Sequence, residues 1–306
     1  MNNDFNNEFN NETNNGFENT VPQTPAPEEK PPKYAADFRR AARGALSGKW
    51  GIAVAAYILY TVIAFACLLP MYIAVIPVGI ASSLNGGEMA PVAIAVMLAF
   101  YLLTLVAVIV VSPALSVGYY RFNLELYGEG DAQIKSLFFG FKNCFGKALR
   151  ATLLIALRVL LCLAVMSVGI IPGAIMLAME TPLLTVLGVL LMVIGYVAGL
   201  ILIFVISFKY VLVSMVLADD PTLSAKEAVR RSAELMKGNV FRYICLQFSF
   251  IGWMLLASCC SFGMVVLSPY MSAATTSFYL AVKREKGGAA ETKSGPQTLD
   301  DYFTVD

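Results

Sequence analysis

The chain has 306 residues, of which 58% are hydrophobic and 14% are charged, with a formal net charge of +1. A soluble protein carries about 25% charged residues, whereas a helix that crosses a membrane needs roughly 20 consecutive apolar residues. The composition therefore excludes an ordinary soluble domain. It predicts an all-α polytopic membrane protein with about six transmembrane helices, further amphipathic helices and disordered tails.

Residues 1–32 are predicted to form a disordered cytoplasmic tail. They repeat an Asn-Asn tetrapeptide four times and then become rich in proline, and residues 1–29 carry six acidic residues and no basic one. Such a composition buries too little apolar surface to offset the loss of chain entropy. Phe5, Phe9 and Phe17 could instead form a docking motif, and that alternative stays open.

Six apolar segments follow the tail, and each predicts one membrane span within a membrane domain over residues 33–284. The predicted spans are residues 50–80, 91–113, 158–179, 183–208, 243–262 and 264–282. Pro70 and Pro77 predict a kink or a break in the outer part of the first span. The polar residues 285–306 are predicted to be a second flexible cytoplasmic tail.

The basic residues predict the orientation of these spans. All 22 lysines and arginines can be placed on one side of the membrane, because the three loops assigned to the other side contain none. Positive charge collects at the cytoplasmic ends of membrane spans. We therefore predict a multi-pass plasma-membrane protein with both termini in the cytoplasm, and with Glu88 and Glu180 in the outer loops.

An amphipathic helix is predicted from Ile134 onward, within a long cytoplasmic loop over residues 121–150. Its apolar residues share one face and its lysines lie off that face. The apolar face could lie in the lipid interface, with the lysines at anionic phosphates, or it could pack on the other spans, and both alternatives stay open. The candidate lipid-interface residues are Lys135, Phe138, Phe141, Lys142 and Phe145.

The fourth predicted span carries a stripe of small residues, formed by Gly188, Gly195 and Gly199. Glycines with this spacing let a neighbouring helix approach closely. The stripe predicts helix packing either within the chain, which five other spans make available, or across the face of a homo-oligomer.

The segment 218–242 predicts a capped helix outside the membrane. Ser224 followed by Glu227 is a capping box, and Gly238 supplies a left-handed stop, so we expect a helix over residues 225–237. Two ion pairs one turn apart are expected along it, Glu227 with Arg231 and Arg230 with Glu234. The candidate residues for docking a cytoplasmic protein partner are Ser224, Glu227, Arg230, Arg231 and Glu234.

Asp219 and Asp220 precede this helix and are followed by Pro221. Two adjacent carboxylates could be read as a metal pair, but no third ligand is evident in the sequence. A turn that leads the chain out of the fourth span is the interpretation that the Asp-Pro sequence favours.

The residues that usually carry out catalysis are scarce in this chain. It has no histidine, and its six cysteines form no CxxC pair. Histidine is the usual zinc ligand and the commonest general base, so we predict no catalytic residue, no metal site and no cofactor. The basic residues lack interleaved aromatics, so nucleic acid is not an expected partner. Whether Cys259 and Cys260 are redox-active stays open.

Several motifs resemble one family of bacterial integral membrane proteins. They are the Ser-Ala-Xaa-Glu-Ala helix at residues 224–228, Phe250-Ile251-Gly252-Trp253, and Pro269-Tyr270, in that order. As a set they are similar to the family called domain of unknown function 975, over roughly residues 36–284. The resemblance implies a multi-span fold and an uncharacterised family without an established activity.

Three classes of function are left. The first is a non-enzymatic accessory of transport or export, whose cytoplasmic face docks a soluble ATPase or another partner. A self-powered ion-coupled transporter is disfavoured because no acidic residue lies inside a predicted span. The second class is a membrane scaffold, or an envelope-stress or lipid-interacting protein. An intramembrane enzyme has the weakest support.

Overall fold

The computed structural model describes residues 34–84, 91–128, 132–179, 181–259 and 262–293. Within these ranges all regular structure is helical, which confirms the all-α fold class. A short 3-10 helix, Ile134–Phe138, accompanies the α-helices. The α-helices are α1 (Ala35–Leu46), α2 (Trp50–Ala66), α3 (Leu69–Leu84), α4 (Pro91–Glu125), α5 (Phe139–Asn143), α6 (Phe145–Leu177), α7 (Pro182–Tyr210), α8 (Val213–Asp219), α9 (Ala225–Met236), α10 (Val240–Phe248), α11 (Ile251–Ser258) and α12 (Gly263–Lys293).

Five segments of the described chain are long and apolar enough to cross a membrane. They are Pro91–Glu125, Phe145–Leu177, Pro182–Asp219, Val240–Ser258 and Gly263–Gly287. A sixth results if α1 and α2, which are bent by 99° relative to each other, count as one span. These helices are compatible with a multi-pass membrane protein. The predicted tail 1–32 lies outside the described residues.

The first predicted span is divided into two helices. The chain breaks between α2 and α3, just ahead of Pro70, and Pro77 lies inside α3. A proline in the first turn of a helix lacks an N–H that would have no helical partner anyway. Pro70 is therefore accommodated at the start of α3.

Three helices extend far beyond the predicted bounds. α4 continues to Glu125 and α6 begins at Phe145, so the predicted loop 121–150 is shorter than expected. α12 continues to Lys293, so residues 285–293 of the predicted second tail are helical. α4 passes through Pro113 at its predicted boundary and α12 passes through Gly287, so neither of these residues ends its helix.

The amphipathic helix predicted from Ile134 onward is not one helix. It consists of the 3-10 helix, α5 and the first turns of α6, with a break at Cys144, where φ is −142° and ψ is 22°. The reason is packing, because the 3-10 helix and α5 lie directly against the backbone of α4 at Gly118 and Ala114. A straight helix could not keep both contacts and also enter α6.

The buried core lies at one end of the long helices. We call this end the basic end. It comprises the arginine- and lysine-bearing ends of α4, α6, α7, α10 and α12, together with the 3-10 helix, α1, α5, α8 and α9. The large, fully buried side chains there include Phe38, Phe122, Leu137, Leu212, Met215 and Phe278. Away from it, most large apolar side chains of α3, α4, α6 and α7 are exposed. This distribution fits helices whose outer surfaces contact lipid.

Candidate functional site at the basic end

α9 is fixed to the rest of the basic end along one face. The Ser224 hydroxyl caps it by accepting a hydrogen bond of 3.3 Å from the Glu227 backbone N–H. Ser232 donates from its hydroxyl to the backbone carbonyl of Lys209 at the end of α7, over 3.2 Å. The helix ends at Met236, and Gly238 follows with a φ of 84°. The buried face comprises Ala225, Ala228, Val229, Ser232, Leu235 and Met236.

The opposite face of α9 carries a row of ion-paired side chains, Glu227, Arg230 and Glu234, which we call the α9 ridge. The Arg230 side chain is 70% exposed, and its guanidinium lies 3.8 Å from the carboxylate of Glu227 and 3.7 Å from that of Glu234. The predicted Arg230–Glu234 pair is therefore present. The predicted partner of Glu227 is wrong, because Glu227 pairs with Arg230 and not with Arg231. Exposed pairs like these stabilise a fold by at most about 1 kcal/mol.

Arg231 turns away from the ridge toward a polar cleft of about 260 Å³. Asp219, Asp220 and Lys283 also line this cleft, so two carboxylates and two cations balance each other there. The structure thus places four of the five predicted docking residues, including the capping Ser224, at the start of α9 or on its outer face. It places Arg231 in a different surface.

The two adjacent aspartates have separate structural roles. Asp220 accepts hydrogen bonds at Oδ1 from the backbone N–H (3.0 Å) and the hydroxyl (2.5 Å) of Thr222, and these bonds lower the pKa of Asp220. They close the turn that was predicted from the sequence. Among the described residues no group of three potential metal ligands is present.

Asp219 instead links the α7–α8 segment to α12. The Tyr279 hydroxyl donates to Oδ2 of Asp219 over 2.7 Å, and the Lys283 ammonium forms an ion pair with the same oxygen. Tyr279 is only 1% exposed. This contact was not predicted, because its members are separated by 60 and 64 residues and no local pattern connects them.

Three cations on α4 and α6 hold the same region together. Lys147 donates from Nζ to the carbonyl oxygens of Pro221 (2.6 Å) and Thr222 (3.0 Å), which lie just before α9. Arg121 donates to the Ala218 carbonyl oxygen over 3.2 Å. The guanidinium of Arg158 stacks over the ring of Tyr210 at the end of α7, 4.7 Å from the ring centroid. Side chains of α4 and α6 therefore connect these two helices to α7, α8 and the turn before α9.

The candidate lipid-interface residues lie together on the surface. The ring centroids of Phe138 and Phe141 are 6.5 Å apart, and those of Phe141 and Phe145 are 6.3 Å apart. Phe138 is 43% exposed, and Lys135 and Lys142 are exposed as well. We call these five residues the aromatic row. Other members of the same predicted face are buried in the core, namely Leu137, Cys144 and Ala148.

The glycine stripe of α7 lies against α6 of the same chain. Gly188, Gly195 and Gly199 are buried. A Cβ atom added to Gly195 would lie 2.6 Å from the Cα atom of Gly169. The two backbones approach this closely only because neither residue has a side chain.

The basic end lies within a part of the sequence that matches one protein family. The sequence matches the family described as "Protein of unknown function (DUF975)" over residues 33–286. No curated protein and no solved structure gives a significant match to the chain. The matched residues include α1 to α11, the first part of α12 and therefore the whole basic end as far as residue 286. The chain belongs to this family of unknown function.

Proposed function

We propose that the chain is a non-enzymatic accessory of a transport or export system in the plasma membrane. Both termini and the basic end face the cytoplasm, where positive charge at the ends of spans is favoured. There the α9 ridge docks a soluble nucleotide-binding ATPase. The proposal draws on the long apolar helices for the membrane location and on α9 for the docking surface.

The observation that carries this proposal is the fixed presentation of the α9 ridge. α9 is capped at Ser224, bonded through Ser232 to the end of α7, and buried along its inner face. The ridge on its outer side is exposed, and the helix backbone that carries it is held in place. A partner that binds a preorganised surface avoids the loss of entropy that ordering a loop would require.

A second candidate function, a lipid-interacting membrane scaffold, is favoured by the aromatic row. Three phenylalanines flanked by two exposed lysines combine apolar surface with positive charge. Helices of this composition lie at the boundary between anionic head groups and acyl chains. The expected lipid partners of the row are therefore anionic.

The replacement Arg230→Glu tests the docking proposal. It places three carboxylates in a row on α9, so a partner surface that is complementary to the ridge would meet repulsion. We expect the amount of ATPase that copurifies with the full-length chain from native membranes to fall about tenfold or more, which corresponds to about 1.4 kcal/mol. Quantitative mass spectrometry of the purified complexes measures this.

Arg40→Glu is the matched control, because Arg40 is exposed on α1 and the charge change is identical. The control should retain the ATPase at the level of the unmodified chain. The docking proposal is contradicted by an intact complex in the Arg230→Glu variant. An equal loss in both variants contradicts it as well, because the effect would then reflect total charge and not the ridge.

A further inference from the structure

A second cleft opens at the basic end, between α6 and the start of α9, with a volume of about 410 Å³. We call it the α6–α9 cleft. Three of its lining residues are basic and none is acidic, and the others are small or apolar. The lining residues are Lys147, Arg150, Leu153, Leu154, Ser224, Ala225 and Lys226.

The chemical character of the cleft changes along α6. Lys147 and Arg150 lie at the start of the helix, and Leu153 and Leu154 follow one turn deeper. Leu153, which lines the cleft, is 63% exposed, and the apolar surface continues beyond the cleft at Leu157, which is 56% exposed. A bound molecule would therefore meet cations at one end and a leucine surface at the other.

The positive charge of the cleft is not compensated by nearby acidic residues of the described chain. Nζ of Lys147 is held by two neutral carbonyl oxygens, at 2.6 and 3.0 Å. Arg150 and Lys226 are exposed, and neither forms an ion pair with a described carboxylate. The nearest acidic residue along α9, Glu227, is paired with Arg230 on the ridge.

We propose that the α6–α9 cleft binds the phosphate head group of an anionic glycerophospholipid. Arg150 and Lys226 bind the phosphate, and Lys147 adds a third positive charge to the cleft. An acyl chain lies along Leu153 and Leu157. A ligand that fits this arrangement must be anionic at one end and apolar at the other, as such a lipid is. Basic pockets where helices leave the inner leaflet favour anionic head groups.

Another cleft, on the other side of α9, is less suited to bind a phosphate than the α6–α9 cleft. It has a volume of about 510 Å³ and is lined by two lysines, Lys209 and Lys237, together with apolar residues of α7, α9 and α10. It offers one cation fewer and no arginine, the residue whose planar fork matches phosphate geometry. The α6–α9 cleft is therefore the better phosphate site. Its occupancy by lipid does not depend on the docking of an ATPase.

Native mass spectrometry of the full-length chain in detergent tests this proposal, with dioleoyl phosphatidylglycerol as the anionic lipid and dioleoyl phosphatidylcholine as the zwitterionic one. We expect one phosphatidylglycerol to be retained in preference to phosphatidylcholine. The double variant Arg150→Gln/Lys226→Gln should bind phosphatidylglycerol at least about tenfold more weakly, because each lost cation removes attraction for the head group. Arg40→Gln should bind it as tightly as the unmodified chain.

Four results would overturn the proposal. They are equal retention of the two lipids, an unchanged affinity in the double variant, an equal loss in Arg40→Gln, and displacement of the lipid by millimolar inorganic phosphate, which would indicate a site for free phosphate. The thermal unfolding midpoint of each variant shows whether it folds. If the double variant does not fold, the single variant Lys226→Gln is compared with the unmodified chain instead. The Lys226 side chain is exposed, so this replacement leaves the core intact.

Discussion

Replacing Gly118 by alanine is expected to lower the free energy of unfolding by about 1–3 kcal/mol. A Cβ atom at this position would lie 1.8 Å from the carbonyl oxygen and 2.5 Å from the carbonyl carbon of Leu137. Both are backbone atoms, so no side-chain rotation can relieve the clash. Leu137 is fully buried, and a shift of the 3-10 helix would therefore also disturb the core.

The measurement for Gly118→Ala is the thermal unfolding midpoint in detergent, followed with a fluorophore that reacts with newly exposed thiols. Cys144 and Cys162 are buried and free, so they report unfolding. Gly252→Ala is the control, because Gly252 is also helical but a Cβ atom there meets nothing within 4 Å. Alanine favours a helix over glycine by about 1 kcal/mol, so the control should not lower the midpoint. Equal midpoints for the two variants would contradict the close contact of α4 with the 3-10 helix.

Replacing Asp219 by alanine is expected to lower the free energy of unfolding by about 1–3 kcal/mol. The loss has two parts. The buried Tyr279 hydroxyl is left without its acceptor, and Lys283 loses its ion pair. The charge contributes the smaller part, at most about 1 kcal/mol, because the side chains of Lys283 and Asp219 are 41% and 24% exposed.

Two further variants separate these contributions in the same unfolding assay. Asp219→Asn keeps a side-chain oxygen that can accept from Tyr279, so it should lose less stability than Asp219→Ala. Asp220→Ala removes only the turn-closing bonds to Thr222 and should also have the smaller effect. If Asp219→Ala proved no more destabilising than Asp220→Ala, the link between the α7–α8 segment and α12 would not stabilise the fold.

The sequence predicted α9 closely because its signals are local. Ser224 and Glu227 define the start and Gly238 follows the end, so the predicted range 225–237 differs from Ala225–Met236 by one residue. By contrast, the link from Asp219 to Tyr279 and Lys283 joins segments far apart in the chain, and no local pattern predicts it.

The region around Cys144 shows a second limit of sequence-based prediction. The helical period correctly grouped Phe138, Phe141 and Phe145 on one surface, where their rings form a row. It could not predict the break at Cys144, because that break depends on how closely the chain approaches α4. Close approach is a property of two distant segments, and a pattern within one of them cannot specify it.

The central claim is that the basic end faces the cytoplasm, since both the docking of a partner at the α9 ridge and the binding of an inner-leaflet lipid depend on it. Single-cysteine variants test this claim in a chain whose six native cysteines have been replaced. The variants are Lys226→Cys at the basic end and Glu180→Cys, which lies outside the described residues. Intact cells are treated with a membrane-impermeant maleimide. We expect labelling of Glu180→Cys in intact cells and of Lys226→Cys only after permeabilisation, whereas labelling of Lys226→Cys in intact cells would contradict the claim.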